Sequence, residues 1–126
     1  ATTNLTVTDT LNGRAVSDIL PTYTKYIALI TQSLTLDPTV IELENTIGPI
    51  VWTRSAVGTY RGTLAGVFTA NKTYAMISNV EPNGVVRIGR TNNNTIQIDT
   101  TDLHSPTAAY HDSHLKKNTL EIRVYE

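Results

Sequence analysis

No cysteine occurs among the 126 residues. Any disulfide framework and any thiolate zinc site are therefore excluded. Charge is scarce too: 17% of residues are Asp, Glu, Lys or Arg, and the formal net charge is −1. A nucleic-acid footprint needs a basic patch, which this balance does not supply. Lys116 and Lys117 are the only adjacent basic residues, and such a pair reads as a solvated loop. No apolar run approaches the roughly 18 residues needed to cross a bilayer. The opening ATTNLTVTDT lacks the basic start and apolar stretch of a secretory signal. Ala1 is what removal of an initiator Met leaves, so the expectation is synthesis in the cytoplasm, with no membrane and no nucleic acid as partner. Internal repeats, heptads and composition breaks are missing as well, and 1–126 reads as one domain. A chain of this length buries roughly two-thirds of its unfolded surface and needs no metal to fold.

What is present in quantity is threonine, roughly one residue in six. Its β-branch stiffens the chain in extended form and its hydroxyl tolerates the solvated face of a sheet. The apolar residues come in short runs closed by Gly, Pro, Asn or Ser, the signature of successive antiparallel strands. Leu5–Thr8 alternates and reads as a strand, Leu11-Asn12-Gly13 as a turn, and Arg14–Leu20 as a helical turn or irregular lead-in. Tyr26–Gln32 is almost continuously apolar, which predicts a central strand covered on both faces. Val40–Glu44 alternates, with Ile41 and Leu43 on one side and Glu42 and Glu44 on the other. Ile50–Arg54 and Thr59–Leu64 predict a hairpin around Ala56-Val57-Gly58. Phe68 is expected to be buried in the loop that follows. Glu81-Pro82-Asn83-Gly84 is a strong turn signal and predicts a second hairpin over Thr73–Arg90. Asn92-Asn93-Asn94 turns into Thr95–Thr100, with Ile96 and Ile98 inward. Leu120–Glu126 alternates strictly, with Leu120, Ile122 and Val124 inward. The sum is an all-β fold, an antiparallel β-sandwich (jelly-roll-like) of about eight or nine short strands.

Between Thr101 and Asn118 periodicity fails, and this stretch holds all three histidines. Long irregular connections tend to be functional or mobile. Asp, His and Ser gather here: Asp102-Leu103-His104-Ser105, then His111-Asp112-Ser113-His114. Two chemistries use such residues: a metal site from His111, His114 and Asp112, or a Ser/His/Asp hydrolytic set. A His-x-x-His pair needs further ligands on rigid structure, and the serine lacks a Gly-x-Ser-x-Gly elbow. The expectation is a polar loop that meets solvent or a partner, with no catalytic residues, no metal and no cofactor. Glu42 and Glu44 have the spacing of a glycosidase carboxylate pair, but alternate positions on an exposed strand give that spacing for nothing. Trp52 with Tyr60 would suit a sugar-stacking platform, or packing at an interface. The candidate ligand or interface contacts are thus Trp52, Tyr60, His104, His111 and His114.

One pattern is more specific. The runs YIALITQS (Tyr26–Ser33), IELENTIG (Ile41–Gly48), VWTR (Val51–Arg54), GTYRGTL (Gly58–Leu64) and FTANKT (Phe68–Thr73) lie in one window, Tyr26–Thr73, that makes up about two-fifths of the chain. Together they resemble a module of tail-fibre, head-fibre and other virion proteins of phages that infect Bacteroidetes-type bacteria. The resemblance implies a non-enzymatic virion β-domain: a capsid decoration, a head-fibre or a tail-fibre component. It implies a homo-oligomer, a trimer by preference, that meets other virion proteins and is made in the host cytoplasm. The alternative is a carbohydrate- or receptor-binding module at a fibre tip, with a host surface glycan as partner.

Overall fold

A computed structural model describes residues 10–11, 14–15, 22–104 and 109–126. The strands are β1 (Thr10–Leu11), β2 (Arg14–Ala15), β3 (Tyr23–Gln32), β4 (Thr39–Asn45), β5 (Val51–Ala56), β6 (Thr59–Thr63), β7 (Thr73–Ile77), β8 (Gly84–Asn92), β9 (Thr95–Asp102) and β10 (Leu115–Tyr125). Among the described residues there is no helix. β1 and β2 pair as a small ribbon, while the other eight strands form two antiparallel sheets, ordered β4-β3-β10-β7 and β5-β6-β9-β8. The expected antiparallel sandwich is therefore present. The strand expected at Leu5–Thr8 lies outside the described residues, as does most of Arg14–Leu20. Where that segment is described, at Arg14–Ala15, it is strand and not a helical turn.

The core lies between the sheets. Tyr26, Ala28 and Ile30 from β3 and Leu120 and Ile122 from β10 meet Trp52, Tyr60, Ile96 and Ile98 from the opposite sheet, with Phe68 sealed in as well. The period-2 rule selects these residues, because every second side chain of a strand points to the same face. Trp52 pairs with Gly62 across β5–β6, and the glycine is required there. A Cβ at Gly62 would stand 2.8 Å from Trp52 Cη2 and Cζ3. Two polar bridges cross the core. Trp52 Nε1 donates to Tyr26 Oη at 3.2 Å, and Tyr60 Oη lies 2.7 Å from Gln32 Oε1. Burial pushes the Tyr26 phenol up to about 12, against the lowering pull of the Trp52 hydrogen bond.

The turns follow side-chain chemistry. Asn45 Oδ1 accepts from the amides of Ile47 and Gly48, both at 3.0 Å, and ends β4. The asparagine run reaches beyond its own turn. Asn93 and Asn94 carbonyls accept from the Phe68 and Leu64 amides, and Asn94 Oδ1 accepts from Gly66, which pins the loop that buries Phe68.

Three expectations are corrected. First, β3 alternates between buried and half-covered residues instead of being closed on both faces, since its second face is an outer face of the sandwich. Second, Ile41 and Leu43 are exposed. Register sets Val40 opposite Ile30 and Glu42 opposite Ala28, so that phase of β4 faces inward. A bulge at Leu43 then sets Glu44 opposite Ile27, on the other face from Glu42. Glu44 pairs there with Lys25 at 3.0 Å, and the two carboxylates do not form a pair. Third, Thr73–Arg90 is not a hairpin: β7 pairs with β10 and β8 with β9, in different sheets. The turn itself is real, with Gly84 N donating to Glu81 O at 3.1 Å. It ends a crossover between sheets instead of folding a strand back on its neighbour.

Candidate functional site

The β9–β10 connection is described at residues 103–104 and 109–114, and its second part docks on the β5–β6 turn. It leaves β9 in phase with the core: Ile96, Ile98 and Thr100 are buried, and Asp102 is the next residue on that face, opposite Gly84. The chain returns past Tyr110, which bridges Thr101. His111 N then donates to Thr100 O at 3.0 Å, and Thr100 Oγ1 donates to His111 O at 2.5 Å.

Asp112 is the hub that fixes this return. Its carboxylate accepts from Arg54 Nε and Nη2, the latter at 2.8 Å, from Gly58 N at 2.9 Å and from Tyr60 Oη at 2.7 Å. Burial alone would raise its pKa, but these hydrogen bonds and the Arg54 charge outweigh burial and hold it at about 2. The same contact, together with burial as the larger cause, drives the Tyr60 phenol upward. Gly58 has φ +65°, and a Cβ there would stand 2.5 Å from Thr100 O and 2.7 Å from His111 N. The β5–β6 turn thus docks on the histidine segment with no room for a side chain.

Gln32 completes the anchor. Its Oε1 accepts from Ser113 N at 2.9 Å, and its Nε2 donates to the carbonyls of Leu34 and Leu36 at 2.9 and 3.0 Å. Ser113 is held in the left-handed region at φ 68°, and its Oγ accepts from Leu34 N at 2.8 Å. This turn throws His114 inward. Its ring lies against Gly84, whose added Cβ would sit 3.2 Å from His114 Cγ and Cδ2, and it stacks on His111 with centroids 4.7 Å apart.

Asp102, His111 and His114 each bring a ligand atom within 4.8 Å of the others. The two histidines of the sequence expectation are therefore neighbours, but the carboxylate beside them is Asp102 and not Asp112, whose oxygens are already committed. His104 stands apart: its Nε2 donates to Asn83 Oδ1 at 2.7 Å, while its backbone amide donates to Asp102 Oδ1 at 2.8 Å. For the hydrolytic set, Ser113 Oγ serves as a backbone acceptor and Ser105 lies outside the described residues. Trp52 and Tyr60 are enclosed in the core, which removes them as an exposed stacking platform.

The outer face of β4-β3-β10-β7 carries a different chemistry. Paired register lays out rows across it: Ile41 beside Leu29 and Thr119, then Glu44 beside Ile27, Glu121 and Met76, then Lys25 beside Arg123 and Tyr74. Ile41 is 51%, Leu43 62% and Met76 56% exposed. A shallow groove of about 300 Å³ runs along the face beside Ile27, Met76, Thr119 and Glu121. Arg123 ties down the far row, 3.1 Å from Glu121 and stacked over the rings of Tyr23 and Tyr74. Sequence reading missed this face because it assigned Ile41 and Leu43 to the core. The alternation was visible, but its phase relative to β3 was not.

In comparisons with known proteins, no family model, no curated protein and no solved structure matches this chain.

Proposed function

We propose that this protein is a non-enzymatic structural component of a phage virion, a capsid decoration, head-fibre or tail-fibre part, that works through contacts between copies of itself and with other virion proteins. The motif resemblance supplies the virion context. The observation that carries the contact role is the outer face of β4-β3-β10-β7, where Ile41, Leu43 and Met76 stand exposed beside Leu29 and Ile27. Clustered apolar residues on an outer sheet face favour a partner over water, and β4 and β7, the outermost strands of this sheet among the described residues, need cover or charge to avoid unregulated pairing. A second copy is the partner proposed, with cyclic closure as the common solution for homo-oligomers and a trimer as the favoured count.

Light scattering on the purified protein tests this reading. A multimer is expected, and Ile41→Lys combined with Met76→Lys is expected to shift it towards monomer without loss of the β spectrum. A wild-type chain that stays monomeric at all concentrations and does not copurify with particles overturns it.

A further inference from the structure

We propose that Asp102, His111 and His114 form a binding site for a borderline divalent transition metal, zinc being the natural case, and that the ion ties the β9–β10 connection to the end of β9. The inference goes beyond the contact role and does not depend on it. Two imidazoles and one carboxylate are the donor set that zinc and its neighbours in the series prefer, whereas magnesium and calcium prefer oxygen alone.

The decisive residue is His114. It is 7% exposed, and its Nε2 is buried with no hydrogen-bond partner among the described residues. The other fully buried polar residues are served: Gln32 as above, Thr100 by His111 O, and Asn118 by Ser78 O and Lys116 N; Arg123 Nε also lacks a hydrogen bond but has the Glu121 carboxylate 3.1 Å away. A buried polar nitrogen with no hydrogen-bond partner among the described residues is unfavourable, and a metal-ligand role gives this imidazole a reason to be where it is.

His111 is set up as a ligand from behind. Its Nδ1 lies 2.6 Å from the Asp112 carbonyl. A carbonyl only accepts, so Nδ1 carries the proton and Nε2 presents a lone pair, the usual outer-shell orientation of a metal-bound histidine. Asp112 in turn is fixed by Arg54, Gly58 and Tyr60, so the outer shell rests on the sheet and not on a loose loop. Asp102 is held by the Ala109 carbonyl at its own amide, 2.9 Å away. Ligands at 2.0–2.2 Å from a tetrahedral ion stand roughly 3.4 Å apart. The present spread of up to 4.8 Å must therefore contract, and exposed His111 has room to swing. Three protein ligands leave a fourth position for water.

The test is calorimetric titration of chelator-stripped protein with zinc, with cobalt absorption as a second readout of ligand geometry. One ion per chain is expected, with a tetrahedral cobalt spectrum, a raised Tm and no response to magnesium. His111→Ala removes an exposed side chain, so it should leave the Tm of the stripped protein near wild type while weakening zinc by about 100-fold or more. Asp102→Asn should weaken it in the same way, and His104→Ala should leave it unchanged. Failure of zinc to bind, or binding that survives both His111→Ala and Asp102→Asn, overturns the proposal. Repeating the light scattering on chelator-stripped protein separates the two conclusions, so either can fail without the other.

Discussion

The phenol of Tyr60 and the carboxylate of Asp112 meet at 2.7 Å, although they lie on different elements and 52 residues apart. Tyr60 Oη is also 2.7 Å from Gln32 Oε1, so its one proton faces two acceptors. The charged acceptor forms the stronger bond, and Gln32 keeps its bond from Ser113 N.

Removing that hydroxyl and removing that carboxylate should therefore differ in cost. Tyr60→Phe leaves Asp112 with Arg54 and Gly58, and the expected loss is about 1 kcal/mol. Asp112→Ala strands Arg54, Gly58 N and Tyr60 together, and the expected loss is about 3 kcal/mol. Urea denaturation of the two variants checks the order, and equal losses would show that Asp112 is not the hub.

Acid should act through the same group. Asp112 is depressed in the folded state, from 3.8 to about 2, so it binds protons more readily when unfolded. Its stabilisation is complete above the unfolded value and disappears as pH falls through the folded one. The shift corresponds to about 2–3 kcal/mol at most. Urea midpoints measured from about pH 5 down to about pH 2 should fall more steeply for wild type than for Asp112→Asn. Parallel curves would contradict the assignment.

Gly62→Ala should press directly on the lone tryptophan. The new methyl would stand 2.8 Å from two indole carbons and 2.9 Å from Ile50 Cγ2. Overpacking of this kind costs about 2–3 kcal/mol, and the fluorescence of Trp52 should shift to the red as the ring is displaced. An unchanged emission maximum and Tm would mean that the ring has free space.

Lys117 offers a change in the other direction. It sits in the β10 bulge at φ 54°, in the left-handed region, and is exposed. A side chain there costs about 1–2 kcal/mol that glycine avoids, so Lys117→Gly should stabilise by about 1 kcal/mol. A lowered Tm would show that the lysine stem contributes more than the strain removes.

Local signals in the sequence located most strands, because alternation and turn residues act over a few positions. Ile96, Ile98, Leu120 and Ile122 were placed inward by period alone. The same period continues through Thr100 to Asp102, and following it two residues further would have aimed Asp102 at the histidines. Relations between elements were not legible. Alternation in β4 is symmetric, and only pairing with β3 decides that Val40 faces in and Ile41 faces out. The Glu81–Gly84 turn has the right chemistry, yet turn chemistry does not say which sheet the next strand joins. Asp112 finds Arg54, Gly58 and Tyr60 through tertiary contact alone, so its spacing in the chain carried no sign of its role.

The pairing of β3 with β10 sets Tyr23 opposite Tyr125, the early part of the described chain against its last residues. Those two strands are the interior pair of their sheet, so neither β4 nor β7 has a complete platform until β10 arrives. Such distant pairing raises contact order and slows folding towards the millisecond-to-second range. During synthesis the other sheet can assemble first, while β3 waits on the ribosome with an unpaired edge. A chain truncated before Leu115 should fail to protect its β3 amides from hydrogen exchange, even with β5, β6, β8 and β9 intact.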